Sequence, residues 1–432
     1  MRRRIAFFLP RSNHLRNMAP VIDYVTRHCP NRFEVFIFYP GWEISKDFLQ
    51  VDRSYLVELF GSRVNLVCLE SPADLLHSIQ SLEIEAIVNT SPEVNEIDDD
   101  TLRDAISRSR LVGVKWVALP YAYQQELITR TEPEMILDYW DLICTIGPRS
   151  IEIIESYLSN LSSDMRVAIG KRLAIVGYPE IDGIARLDRG DILAKYGLPD
   201  NKPIICVSTA PTWYYHGARG HNSVSAGYEA RFRGIGHIPL WATPSLLTTV
   251  RHPVIISYKQ YLSKLRLFAD RNNAVLIAKT RLKHRDPDYT AECFDAIFDD
   301  VTYFPFTTLE LLSVSSLYFG FASMSVVETV NLGIFSITAH HLPMDILIPA
   351  GKYRDFSRLF LTQKGSIGNT PGVSELLDGT RPSGPRALEK LSNSNLEDYQ
   401  VDEVEREKLL DRFFSFRGKS SEAFVDALSS LW

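Results

Sequence analysis

The stretch Phe319-Gly-Phe-Ala-Ser-Met-Ser-Val-Val-Glu-Thr-Val-Asn-Leu-Gly333 carries residue types at a spacing suited to chemistry. An apolar run, expected as a strand, passes into small and hydroxyl residues that open a helix. Free backbone N–H groups at a helix start, joined by the hydroxyls of Ser323 and Ser325, make a natural phosphate site. Glu328 falls on the first turns of that helix, where a carboxylate accepts hydrogen bonds from a ribose diol. The plainer alternative is an ordinary N-capped helix with Glu328 facing solvent.

Three other constellations follow apolar runs. Lys279-Thr-Arg-Leu-Lys-His-Arg-Asp286 places four cations and a histidine after a strand, among them Lys279, Lys283 and His284. Such a group neutralises a diphosphate and the charge developing on a leaving group, unless it is only a solvated charged turn. Ser208, Thr209 and Thr212 lie in Ser208-Thr-Ala-Pro-Thr-Trp213 and offer hydroxyls and amides to the same ligand. His14 sits in the turn after the first apolar run, where an imidazole takes a proton from an acceptor hydroxyl near neutral pH. A lone loop histidine is often incidental. No histidine stands at a metal-ligand spacing such as HExxH, so no tightly bound metal is expected. A Walker loop, a GxSxG elbow and a GxGxxG after the first run are all missing, which weighs against NTPase, hydrolase and dehydrogenase chemistry.

The elements that must position these residues alternate along the chain. Strands are expected at Arg4–Leu9, Glu34–Tyr39, Val64–Leu69, Ala86–Asn89, Val114–Leu119, Leu142–Thr145 and Leu173–Val176. A second series runs Ile204–Ser208, Ala274–Lys279, Val301–Phe304, Leu317–Phe319 and Ile334–Thr338. Helical patterns separate them, including Met18–His28, Tyr289–Phe298 and Ser325–Leu332. Continuous apolar strands between helices predict parallel sheets covered on both faces, here two Rossmann-like, doubly wound α/β halves. The first half is expected over residues 1–172. The second is expected over 173–363 with an insertion at 214–252, and residues 364–432 form a linker and C-terminal helices.

Composition narrows the partners. The net charge of −6 provides no global basic field for nucleic acid. Five scattered cysteines make no disulfide framework and point to a reducing, cytoplasmic setting, with Cys144 and Cys206 expected as buried thiols. No run of about 18 apolar residues is present, so any membrane contact is expected to be peripheral, at the inner face.

Val176-Gly-Tyr-Pro-Glu-Ile-Asp182 followed by Ile205-Cys-Val-Ser-Thr-Ala-Pro-Thr-Trp213 resembles the GYPxxD…APTW run of the CDP-glycerol glycerophosphotransferase family. The resemblance extends through Leu276–Arg285 to Phe321–Gly333. It implies a GT-B fold, with two Rossmann-like domains facing a central cleft, and the building of teichoic-acid-like or capsular polymers. By that resemblance Ser323 and Ser325 hold the donor phosphates, Glu328 the ribose, and His284 stands near the diphosphate. Thr307, Thr308 and Leu309 match the segment bordering the nucleotide base. The family's Trp-His-Gly motif has no counterpart in Val112-Gly-Val-Lys-Trp-Val-Ala-Leu-Pro-Tyr121, so either another residue, such as His14, serves as the base or the reaction differs. The Ser-x-Ser-x-x-Glu pattern is also similar to the donor loops of GT-B glycosyltransferases and of UDP-N-acetylglucosamine 2-epimerases.

The expected activity is transfer of a sugar or polyol phosphate from a CDP- or UDP-linked donor to a glycan or lipid-linked acceptor, with no tightly bound cofactor. The alternatives are a UDP-sugar 2-epimerase, using acids such as Glu93 and Glu126, and a GT-B nucleotide-binding protein without catalysis.

Overall fold

The computed structural model describes residues 2–42, 51–90, 100–120, 133–209, 262–280, 288–300, 302–303, 305–320, 325–338 and 394–432. Tyr214–His252 and nearly all of Lys364–Asn395 lie outside them. The chain forms two compact units.

In the first unit, near-continuous apolar runs become seven parallel strands: β1 (Arg3–Phe8), β2 (Phe33–Pro40), β3 (Asn65–Leu69), β4 (Ala86–Asn89), β5 (Lys115–Ala118), β6 (Leu142–Thr145) and β7 (Leu173–Ile175). Their order is β3-β2-β1-β4-β5-β6-β7. Side chains alternate faces along each strand. Ala6, Phe8, Phe36, Phe38, Ile87 and Trp116 therefore enter one core, with Leu75, Ile79 and Ile106 from covering helices. The helix α1 (Leu15–His28) contributes Met18, Val21, Ile22 and Val25, all fully buried. The chain reverses direction across the sheet between β1 and β4, because β1 is bonded to β2 on one side and β4 on the other.

In the second unit, β8 (Ile204–Ser208), β9 (Val275–Lys279), β10 (Ala296–Phe298), β11 (Leu317–Gly320) and β12 (Phe335–Thr338) pair in parallel in the order β10-β9-β8-β11-β12. The same reversal falls here between β8 and β11. One face packs Ile205, Val207, Leu276 and Phe319 on a helix at 262–271. The other packs Cys206, Ile277 and Tyr318 on α8 (Arg189–Tyr196), which ends at Gly197 in the left-handed region, φ 63°.

Three expectations are corrected. Strand β10 occupies Ala296–Phe298 in place of Val301–Phe304, and the helix expected over Tyr289–Phe298 stops at Ala291. The Asp295 carboxylate accepts the Leu276 N–H at 2.7 Å and draws the following residues into the ladder. Asp299 accepts the Thr302 N–H at 2.7 Å and turns the chain out of it. Leu173–Ile175, expected to open the second half, instead closes the first sheet against β6. The units accordingly divide between Arg186 and Leu187, and Glu407–Trp432 belongs to the first unit.

That return is made by α13 (Glu403–Phe413) and α14 (Ser420–Ser429). A side chain at Gly147 would strike the Phe413 backbone, and one at Gly177 would strike the Ser415 carbonyl and the Ser420 hydroxyl. Gly177 also has φ 88°, a conformation that L side chains rarely adopt.

Candidate functional site

Parallel strands bring their C-terminal ends to one edge, and the point of reversal leaves that edge open to a ligand. In the second unit this edge gathers several expected residues. Ser208 ends β8 opposite Lys279, which ends β9, and the Thr209 N–H bonds to the Lys279 carbonyl at 3.2 Å. On the other side of β8, β11 ends at Gly320, five residues before α12 (Ser325–Leu332) begins. Ser208, Thr209 and Lys279 from the first two strands and Ser325 and Glu328 from that helix are all buried.

Local chemistry fixes each one. The Tyr318 hydroxyl donates to Ser208 Oγ at 2.7 Å. The Tyr318 ring takes this path over Gly320, where a Cβ would lie 2.7 Å from the phenol oxygen. The Lys279 ammonium is paired with the Asp300 carboxylate. A ligand phosphate reaching Lys279 therefore competes with a fixed counter-ion, which weakens the bare cation the sequence suggested. Glu328 is only 2% exposed, on the first turn of α12. The solvent-facing reading of Glu328 is thereby excluded, because a carboxylate is costly to bury unless hydrogen bonds or a ligand offset its desolvation.

Thr307, Thr308 and Leu309 form the first turn of α11 (Thr307–Ser313), and all three are buried. Phe306 precedes them without a side-chain cap, so the backbone N–H groups of that turn are not claimed by a capping side chain. Thr212, Lys283, His284 and Ser323 lie outside the described residues.

In the first unit, His14 closes a short 3-10 turn that runs directly into α1. It is 3% exposed, not a loop-edge histidine. Burial, and then the nearby Arg11 guanidinium, lower its pKa to about 3. The ring is neutral at pH 7, and its protonated form is strongly disfavoured. This corrects the expectation of an imidazole titrating near neutrality. Burial likewise pushes the Cys206 thiol up to about 12 and raises that of Cys144, so both are inert buried thiols.

The Gly-Tyr-Pro-Glu-Ile-Asp run proves to be an internal brace of the first unit. The Tyr178 hydroxyl donates to Glu180 at 2.7 Å, and the other Glu180 oxygen pairs with Arg16 on the first turn of α1. Asp182 accepts the N–H groups of Ser420 at 3.0 Å and Ser421 at 2.6 Å, and the Ser421 hydroxyl at 2.7 Å. It thus caps α14 from more than 200 positions away in sequence. Burial raises its pKa, and these bonds only partly oppose that. The ion pair and the remote cap were not legible from the motif, whose Glu180 and Asp182 are 164 and 238 positions from their partners Arg16 and Ser420.

Among the described residues, no group of three or more His, Cys, Asp or Glu side chains is disposed to hold a metal. No described helix is long and apolar enough to cross a membrane.

Neither a protein-family model nor a curated protein sequence matches the chain. Solved structures do. A UDP-N-acetylglucosamine 2-epimerase from Neisseria meningitidis, bound to UDP-GlcNAc, aligns over 100% of both chains with a TM-score of 0.55 and 12% identity. A putative enzyme of the same description from Listeria monocytogenes covers 100% of this chain and 97% of its own, with a TM-score of 0.55 and 11% identity. The wall teichoic acid polymerase TagF aligns over 100% of this chain and 90% of its own, with a TM-score of 0.52 and 13% identity. The fold is of the GT-B class. At such identities the likeness carries the architecture alone, and it includes both the polymerase and the epimerase groups that the motifs suggested.

Proposed function

We propose that this chain is a GT-B transferase that takes a sugar or polyol phosphate from a nucleotide-activated donor, CDP- or UDP-linked, and passes it to a glycan or lipid-linked acceptor. The observation that carries the reading is Glu328. A carboxylate buried on the first turn of a helix, beside the buried Ser325 and at the strand-edge reversal of the second sheet, suits a ribose diol with the phosphates on the helix start. Ser208 and Thr209 add hydroxyls from β8, and the first turn of α11, from Thr307 to Leu309, borders the base. Ser323, Lys283 and His284 complete the proposed donor set by the resemblance in sequence.

When the donor binds, its diphosphate takes Lys279 from Asp300, so the cation is delivered to the leaving group only in the loaded state. The helix dipole and basic side chains stabilise the departing nucleotide without requiring a metal. His14 is neutral and so able to accept a proton, but the buried imidazolium needs an anion nearby to be stable. Work at the inner face of a membrane, through peripheral contact, suits a glycan or lipid-linked acceptor.

A second reading, a UDP-sugar 2-epimerase, is supported by the Ser-x-Ser-x-x-Glu pattern of Ser323, Ser325 and Glu328, which is similar to the donor loop of such enzymes. Two measurements separate the readings. Thermal shift with CDP, UDP, GDP and CMP identifies the base, since a ligand bound only by the folded state raises its stability. Incubation with the matching donor then distinguishes transfer, which releases nucleotide, from epimerisation, which keeps it attached. Ser325→Ala and Glu328→Gln are expected to weaken nucleotide binding at least tenfold. Unchanged binding in both variants would refute the donor site.

A further inference from the structure

The reversal point of the first sheet carries a cost that the fold does not explain. Asn17 lies on the inward face of α1, one turn before Val21 and two before Val25, and is 1% exposed. Neither its amide oxygen nor its amide nitrogen has a hydrogen-bond partner among the described residues. Thr90 directly follows β4, is 0% exposed, and its hydroxyl is also unpartnered. β1 and β4 are neighbours in the register Ile5↔Ala86, Ala6↔Ile87, Phe7↔Val88. Continuing that register sets Thr90 level with Leu9, at the strand edge from which the chain turns into α1. By strand alternation Thr90 follows Ala86 and Val88 on the face opposite Ile87. Ile87 enters the core that Ile79 and Ile106 fill, so Thr90 belongs to the other face. A leucine at position 17 and a valine at position 90 would fill these places without stranding a polar atom. Native proteins leave few such groups, and each one asks for a reason.

We propose that Asn17 and Thr90 bind a neutral, hydroxyl-bearing group, a sugar or polyol, at the β1/β4 reversal. Resting on the transferase reading above, this makes them specificity-determining residues for the acceptor. The amide offers one acceptor and two donors, and the threonine hydroxyl offers one of each, which matches adjacent hydroxyls. Of the charged side chains nearby, Arg11 lies beside His14, and an anion drawn to it is the competing outcome that the phosphate probe below reads. Arg16 is held by Glu180, and His14 is kept neutral. Uncharged amide and hydroxyl groups at the reversal itself discriminate by hydrogen-bond pattern, the mode in which a missing partner is most costly.

The test uses the full chain with Asn17→Leu and Thr90→Val, singly and together, probed with glycerol, N-acetylglucosamine and inorganic phosphate by ligand-observed NMR and thermal shift. The double variant is expected to melt a few degrees higher than the parent and to bind the preferred neutral probe at least tenfold more weakly. CDP or UDP binding is expected to be unchanged. Lower melting temperatures in both single variants would show that the two side chains serve the fold and would overturn the proposal. Phosphate binding in place of the neutral probes would overturn it too, as would equal neutral-probe binding by parent and variants. Intact nucleotide binding alongside such a failure refutes this inference alone. A parent that binds no nucleotide refutes the transferase reading, while the neutral-probe result stands on its own.

Discussion

His14→Gln should flatten the acid side of the stability curve. In the folded protein the imidazole pKa is lowered to about 3 by burial and by Arg11, whereas an unfolded histidine titrates near 6.5. The unfolded chain therefore takes up a proton that the folded one refuses. The histidine costs the fold little above the unfolded pKa, and its penalty grows as pH falls from about 6.5 toward about 3. Between pH 7 and pH 5 the shift corresponds to about 2 kcal/mol of stability lost through this one side chain. Glutamine keeps a hydrogen-bonding side chain but has no proton to gain. Urea unfolding of parent and variant at half-unit pH steps isolates the difference, because every other titrating group is shared. Whatever its stability at pH 7, the variant should lose less between pH 7 and pH 5, by that same ~2 kcal/mol. Parallel curves would show that His14 is not buried as a neutral ring.

Other expectations concern the brace and the donor edge. Gly177→Ala combines a left-handed φ with a collision against the Ser415 carbonyl, and should cost on the order of 3 kcal/mol by chemical denaturation. Asp182→Ala removes three hydrogen bonds from the start of α14, and should cost about 1–2 kcal/mol. Its signature is faster amide exchange confined at first to Ser420–Ser429; uniform loss of protection would contradict the remote cap. Asp300→Asn removes the carboxylate paired with Lys279 and should tighten nucleotide binding several-fold, most at low salt, as read by titration calorimetry. Unaltered affinity would mean that Lys279 does not reach the phosphates.

Legibility in the sequence followed the range of the interactions involved. Alternating apolar runs located the strands of both sheets to within a residue or two, except around Ala296–Phe298, where aspartates at 295 and 299 reshape the chain through contacts that periodicity does not encode. The helix Ser325–Leu332 was legible to the residue, because hydroxyl and small residues give way abruptly to an apolar pattern. Glu328 was found as a candidate, but its burial was not, since nothing local says which neighbours cover it. Asn17 was open to notice as an amide at an inward helical position, though a single polar residue in an amphipathic segment is a weak signal. The Asp300 counter-ion of Lys279 and the Arg16–Glu180 pair join residues 21 and 164 positions apart, and only the folded chain brings them together.

The return of α14 to the first unit sets a schedule for biosynthesis. α1 and the 3-10 turn at Pro179–Arg186 are made early, yet the helix that packs on both begins at Ser420. At roughly 5–20 residues per second, the ribosome needs about 12–50 s to travel from Arg186 to that helix. For that interval the cap of Asp182 and the gap beside Gly177 await a segment not yet made. The first unit is begun before the second and completed only after it.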